Sequence, residues 1–297
     1  MRSAGSAILP GMAVARNKPE IAIVGAGSLA SALAPALKKA GNTIAGIIVR
    51  DSVASLRDGK RLAASVGAEC VTVARADITA QVVWFCVPDR EIARAAQSLA
   101  QANWKGRVAL HASGALLSNE LGVLRKRGAS VASAHPLMTF VRGSRPSLVG
   151  VPFAIEGDAV AMRTAYAIVL ALRGKPWTIR AADKAAYHAW GTFASPLLIA
   201  LLAATEGVAK TAGVNQKTAR EKMLPILAQT LANYATLGAS EAFSGPLVRG
   251  DVETVRVHLR TLRRVPAARA TYLALAHAAT ECLPAKNRRE MRRLLKD

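Results

Sequence analysis

Residues 20–41, EIAIVGAGSLASALAPALKKAG, constrain the fold more than any other stretch of the chain. A short β-branched run, Ile21 to Val24, meets Gly25-Ala26-Gly27-Ser28-Leu29-Ala30. Leu33, Leu37 and Ala40 then recur on one helical face before Gly41 closes it. A strand turning through GxGxxA into a helix is the opening of a βαβ unit that binds a dinucleotide. Gly25 permits the tight turn, Gly27 lets backbone approach a pyrophosphate, and a small residue at position 30 lets helix and strand pack. The free amides and positive dipole end of the helix then face the phosphates. A glycine turn without a ligand is the alternative. The strand before and the helix after favour nucleotide binding, with Gly25, Ala26, Gly27, Ser28 and Leu29 as contacts.

The second strand, NTIAGIIVR (42–50), ends where an acidic residue would hold the ribose hydroxyls of NAD. The first residue there is Arg50, with Ser52 close by. An arginine with a neighbouring hydroxyl suits a 2′-phosphate, so the expected cofactor is NADP(H). Asp51, one residue on, keeps NAD open as the competing reading.

Alternation continues. SVASLRDGKRLAASVG reads as a helix, VVWFCVPD (82–89) as a fourth strand followed by a helix from Glu91, and RVAL (107–110) as a fifth strand. The expected fold is α/β, a Rossmann-type doubly wound, mostly parallel sheet. Val87 and Pro88, at the end of the fourth strand, are candidate cofactor contacts, although Pro88 also suits the start of the next helix. Ligands of open α/β sheets bind outside the carboxyl ends of the strands. His111 and Ser113, just past the fifth strand, are therefore expected to face that crevice. After a helix at 118–127, the strand ASVASA delivers His135 to the same edge. Singly, each histidine suits a structural role. As a pair at adjacent strand ends, they suit polarising a carbonyl or imine or relaying its proton.

VPFAIEGD and KPWTI (175–179) read as two more strands around a helix at 158–172. From Ala181 onward the pattern is helical, at about 182–212, 216–237, 250–262 and 266–282. The expected domains are a flexible tail at 1–18, a dinucleotide-binding domain at 19–180 and an all-helical substrate and dimerisation domain at 181–297. Lys184 and His188 lie four apart on one helical face with Tyr187 beside them. Gly245-Pro246 breaks a helix and Asp251 suits the N-cap of the next. Arg249, between them, either offers a fork to a substrate carboxylate or pairs with Asp251 as a clasp.

Half of the residues are apolar, which suits a folded chain rather than a disordered one. Cys70, Cys86 and Cys282 are too few and too scattered for a disulfide framework or a metal site. That pattern suits a reducing cytoplasm. The first 18 residues are too broken for a secretory signal, and a start at Met12 would account for them. No run reads as a membrane span; residues 189–205, AWGTFASPLLIALLAAT, read as a buried core helix interrupted by Gly191, Ser195 and Pro196. The net charge of +21 raises nucleic-acid binding as a rival. Aromatics are only 4% of residues and do not interleave with the basic runs RVHLRTLRRVPAAR (256–269) and KNRREMRRLLKD, so stacking platforms for specific recognition are lacking.

HASGALLS, SAHPLMTF, FAIEGD (153–158), DKAAYHAWGTFASP (183–196) and GPLVRGD (245–251), in that order, resemble a family of bacterial Rossmann-like proteins with a helical C-terminal domain of unknown function. The resemblance runs from about Glu20 to the helix after Asp251. It implies an architecture similar to the 6-phosphogluconate and β-hydroxyacid dehydrogenases, pyrroline-5-carboxylate reductase and ketopantoate reductase. It also implies an NADP-dependent oxidoreductase whose substrate is unassigned. HPLMTF is similar to the His-Pro-Met segment of prephenate dehydrogenases, in which that histidine lies in the active site. In the related dehydrogenases a lysine at the place of Lys184 meets the substrate and donates a proton. The family pattern continues Phe-Ala-Ser-Asn, whereas this chain has Pro196 at the asparagine position, losing a hydrogen-bonding side chain and kinking the helix.

The expectation is thus an NADP(H)-dependent reductase acting on a carbonyl or imine of a small acid. Its catalytic residues would be His111, Ser113, His135, Lys184 and His188, with Tyr187 and Arg249 on the substrate and no metal. A non-catalytic NADP(H)-binding sensor or scaffold is the alternative. The apolar helix at 189–204 and the related folds suggest a cytoplasmic homodimer, with neither a membrane nor a specific nucleic-acid partner.

Overall fold

Eight strands form one sheet in the order β3-β2-β1-β4-β5-β6-β7-β8 in a computed structural model that describes residues 18–296. All of the expected tail at 1–18 except Lys18 lies outside the described residues. The strands are β1 (Ile21–Val24), β2 (Ile44–Val49), β3 (Glu69–Thr72), β4 (Val82–Phe85), β5 (Val108–His111), β6 (Ser130–Pro136), β7 (Pro152–Gly157) and β8 (Lys175–Thr178). The first six run parallel, β7 runs antiparallel to β6, and β8 runs parallel to β7. The expected α/β doubly wound, mostly parallel sheet is present.

Alternation along β1 shows why this sheet has two covered faces. Ile21 and Ile23 pack into a layer with α1 (Ser28–Lys39), α2 (Val53–Val66) and α5 (Ala159–Ala171). Ala22 and Val24 pack oppositely, with α3 (Asp89–Ser98) and α4 (Gly122–Arg125). Burying each isoleucine contributes about 1.5–3 kcal/mol before the entropy of ordering is counted. The helix expected at 118–127 is shorter, a 3₁₀ turn at Ser118–Leu121 followed by α4. The Ser118 amide and hydroxyl are drawn to Glu156 instead of into a helix.

The chain divides into two compact units after Gly191. The first holds the sheet and nearly all of α6 (Lys184–Thr192). The second begins with a π turn at Phe193–Leu197 that contains Pro196, and continues through α7 (Leu198–Thr211), α8 (Gln216–Ala242), α9 (Pro246–Arg249), α10 (Val252–Thr261), α11 (Pro266–Cys282) and α12 (Arg288–Leu294). The expected break at Pro196 takes this form because proline supplies no amide to the i→i−4 ladder.

Residues 189–205 require a correction. The helical stretch Ala181–Thr211 has only 6% of its most apolar 18 residues buried, and Phe193 and Ile199 are 71% and 63% exposed. With a mean hydropathy of 1.6 it is also long and apolar enough to cross a membrane, where the sequence reading found no such run. Apolar residues surround this helix instead of forming one stripe, so packing within one chain leaves much of it uncovered.

Candidate functional site

At Gly25 the backbone φ is +107°, and a Cβ there would lie 2.5 Å from the Cys86 carbonyl oxygen. Only glycine brings the ends of β1 and β4 this close. Gly27 occupies the N-cap of α1, where no side chain caps the helix and the first turn holds no acidic residue. A Cβ at Gly27 would meet nothing within 4 Å. The first-turn amides of Ser28 and Leu29 therefore open onto unobstructed space, as a pyrophosphate requires. Ala26 links the two glycines, and Ala30 is wholly buried, as helix–strand packing demands.

Arg50 is exposed just past β2 and forms no ion pair among the described residues; Asp51 beside it is also exposed. The Ser52 hydroxyl accepts the Ser55 amide at 3.3 Å and lies 2.9 Å from the Ser55 hydroxyl, so it caps α2. Val87 lies against Gly25, and Pro88 is the N-cap of α3, in keeping with the helix-start reading.

The expectation that His111 and Ser113 face the crevice is corrected. His111 is fully buried; its Nδ1 accepts the Ser113 amide at 3.1 Å, which leaves Nε2–H to donate to the Leu117 carbonyl at 3.0 Å. Burial, reinforced by the charge of Lys184, pulls its pKa down to about 4, so it is neutral at pH 7. The Ser113 hydroxyl donates to Asp89 Oδ2 at 2.8 Å and accepts the amides of Ala115 and Leu116. Both side chains turn inward because the bend after β5 needs acceptors for its own amides.

A buried charge cluster lies beside this bend. Lys184 is 2% exposed; its Nζ donates to Ser133 Oγ at 2.5 Å and to the Ser113 carbonyl at 3.1 Å, and lies 3.6 Å from Glu156 Oε1. Glu156 accepts the Ser118 amide at 2.7 Å and its hydroxyl at 3.0 Å. Burial pulls the Lys184 pKa down and Glu156 pushes it back up.

His135 and Tyr187 form the second pair. His135 Nδ1 is 2.7 Å from Tyr187 Oη, with the rings edge-on at 84°. Trp177 and Trp190 pack edge-on against the same tyrosine. Burial pushes the Tyr187 pKa up, and burial with the charges of Lys184 and His188 pulls His135 down to about 4. A Cβ at Gly114 would lie 2.9 Å from Cε1 and Nε2 of His135 and 3.0 Å from Cδ2 of His188. The two imidazoles thus flank bare backbone, and His188 is exposed.

The first unit therefore brings together His111, Ser113, His135, Lys184, Tyr187 and His188. Arg249 lies in the second unit at the end of α9, exposed, and forms no ion pair with Asp251. Asp251 caps α10, accepting from the Thr254 amide at 3.1 Å and hydroxyl at 2.7 Å. Sequence reasoning missed Glu156, Ser133, Asp89 and Gly114. A usable signal existed for Glu156, a lone charge inside the apolar strand PFAIEG.

Residues 151–279 match the domain of unknown function DUF2520, and residues 8–136 match the Rossmann-like domain family. No curated protein matches the chain. Among solved structures, a "putative NADP oxidoreductase" of Bacteroides fragilis is 23% identical, with a TM-score of 0.75 over 88% of this chain and 97% of its own. Protein TM1727 of Thermotoga maritima is 22% identical, with a TM-score of 0.68 over 93% and 98%. A reductive aminase of Aspergillus terreus, solved with NADPH and ethyl-5-oxohexanoate, is 17% identical, with a TM-score of 0.61 over 89% and 94%. At these identities the likeness establishes the fold. Over these two stretches the chain pairs a Rossmann-like domain with a DUF2520 domain.

Proposed function

We propose that this protein is an NADP(H)-dependent reductase acting on a carbonyl or imine of a small acid. The observation that carries the reading is the uncapped amino end of α1 opening beside Gly25 and Gly27. The names of the Bacteroides and Aspergillus structures support the cofactor and the reaction class. In this reading Arg50, exposed past β2, would meet a 2′-phosphate, and Ala26, Ser28, Leu29, Val87 and Pro88 would line the cofactor.

Bound there, NADPH supplies the hydride. The Tyr187 hydroxyl lies within hydrogen-bonding reach of His135 Nδ1 and donates to the His135 carbonyl at 3.5 Å, while His135 Nε2 lies toward Gly114. In the tautomer with its proton on Nε2, His135 would pass that proton to a substrate atom held over the glycine while its Nδ1 takes up the Tyr187 hydroxyl proton, with exposed His188 alongside. Lys184 holds the Ser113 carbonyl and Ser133 in place, and the His111 and Ser113 side chains shape the turn that presents Gly114.

Titration with NADPH and NADH, followed by fluorescence, tests the reading. Arg50→Ala should weaken NADPH binding about tenfold, or roughly 1.4 kcal/mol, and leave NADH little changed. Absence of binding by either nucleotide to folded protein would overturn it. A non-catalytic NADP(H) sensor is the second reading, favoured by the engagement of His111, Ser113 and Lys184 in buried hydrogen bonds. Turnover of NADPH with a panel of small keto acids and cyclic imines separates the two.

The exposed apolar residues of α7 and α8, among them Ile199, Ile226 and Tyr234, support a homodimer through the helical unit. A monomeric mass in light scattering would reject it. A cytoplasmic location goes with this reading.

A further inference from the structure

The outer face of α12 and of the residues just after it is dominated by cations, with Glu290 the one exposed acid between residues 288 and 296. Arg288, Arg292 and Lys296 fall on one i, i+4 row and Arg289 and Arg293 on the next. Five positive groups thus share a strip about 12 Å long. The inner face is apolar: Met291 and Leu295 are buried with Val252, Val255 and Leu259.

The helix is fixed in place. Asn287 Nδ2 donates to the Gly250 carbonyl at 2.9 Å, and Arg288 donates to the carbonyls of Ala285 and Leu283 at 3.2 and 2.7 Å. Arg289, Arg292, Arg293 and Lys296 are exposed and form no ion pair among the described residues. Together with Arg288 they line a shallow depression of about 470 Å³. Like charges at i, i+4 repel, so this row costs the free protein helix stability that an external anion would restore.

We propose that α12 is a sequence-independent docking face for the phosphate backbone of a nucleic-acid duplex. Arg289, Arg292 and Arg293 carry planar forks that match phosphate oxygens in pairs, while Arg288, whose fork is bonded to two carbonyls, and Lys296 add charge. A duplex presents one charge per about 1.7 Å, so a rigid row meets several phosphates at once. Membrane insertion needs an outward apolar face, and here Met291 and Leu295 point inward. No aromatic residue lies between 283 and 297, so bases have nothing to stack on, and contact is with backbone alone. The proposal concerns the helical unit and does not rest on the reductase reading.

The test is fluorescence anisotropy of the full chain with a labelled duplex of about 20 base pairs, titrated at salt from about 50 to 200 mM. The expected result is a plot of log K against log salt with a slope near −4, the value for four to five phosphate contacts at about 0.9 each. R289Q/R292Q/R293Q should weaken binding tenfold or more at the lowest salt and bring the slope to roughly −1 to −2. R289K/R292K/R293K, which keeps the charge, should retain the steep slope. Circular dichroism serves to show that each variant is folded. Absence of duplex binding by the wild type, an unchanged slope in the glutamine variant, or preference for phosphatidylserine vesicles over duplex would each overturn the proposal.

Discussion

Lys184 Nζ lies 3.6 Å from Glu156 Oε1, with both residues buried and the Lys184 ammonium also bonded to Ser133 and Ser113. The pair joins α6 to β7 and the bend after β5. Removing one partner leaves an uncompensated charge in the interior, so Glu156→Gln and Lys184→Met should each cost about 3–5 kcal/mol. The double variant should cost clearly less than the sum, because neither charge is then stranded. Denaturant unfolding of all four proteins measures this, and simple additivity would show that the two residues do not stabilise each other.

Gly25 and Gly27 should respond differently to the same substitution. Gly25→Ala places a Cβ against the Cys86 carbonyl at a positive φ, so it should destabilise the fold by more than about 1 kcal/mol. Gly27→Ala has open space and should leave stability nearly unchanged while weakening NADPH at least tenfold. Thermal melts alongside nucleotide titrations would separate the two effects. Equal loss of stability in both would show that the space over Gly27 is not a binding surface.

His111 makes stability depend on pH. Its folded pKa of about 4 lies below the ordinary 6.5, so between those values the unfolded chain binds the extra proton. The stabilisation is therefore complete above pH 6.5 and is lost as pH falls toward 4, at up to about 1.4 kcal/mol per pH unit. Unfolding free energies at several pH values in this window should show a steeper fall for wild type than for His111→Asn.

Gly114→Ala and Tyr187→Phe probe the pair that faces the proposed substrate. A methyl at Gly114 would displace His135 or His188, and loss of the Tyr187 hydroxyl would remove the partner of Nδ1. Both variants should lower reductive turnover by about 10²-fold, within the span expected for one general acid, while NADPH affinity stays within about twofold. Loss of nucleotide affinity in step with turnover would assign both residues to cofactor binding instead.

The sheet was legible in the sequence because its rules are local. The β-branched run at Ile21–Val24, the glycines after it and the later alternation each specify a neighbour in the chain, and the strands at 152–157 and 175–178 followed suit. The histidine-bearing strand ends could be read too, but the direction of their side chains could not. His111 turns inward because the amide of Ser113 and the carbonyl of Leu117 claim its two nitrogens, an outcome settled by a bend of a few residues. Glu156 and Ser133 were missed for another reason. Their partners are 28 and 51 residues away from them at Lys184, and sequence spacing does not reveal such pairings. The exposed helix at 198–211 escaped because hydrophobicity shows that a surface prefers cover without showing which molecule provides it.

The one antiparallel junction of the sheet has its own safeguard. Glu156 stands opposite Ser133 across β6 and β7, on the face that carries Ala154 and Lys184, while Ile155 and Phe153 fill the other face with α5. Side chains alternate, so a slip of one residue would drive the Glu156 carboxylate into that apolar layer without a counter-ion. A mispaired strand would be rejected by solvation energy alone, as a proofreading step rejects an error before it becomes permanent.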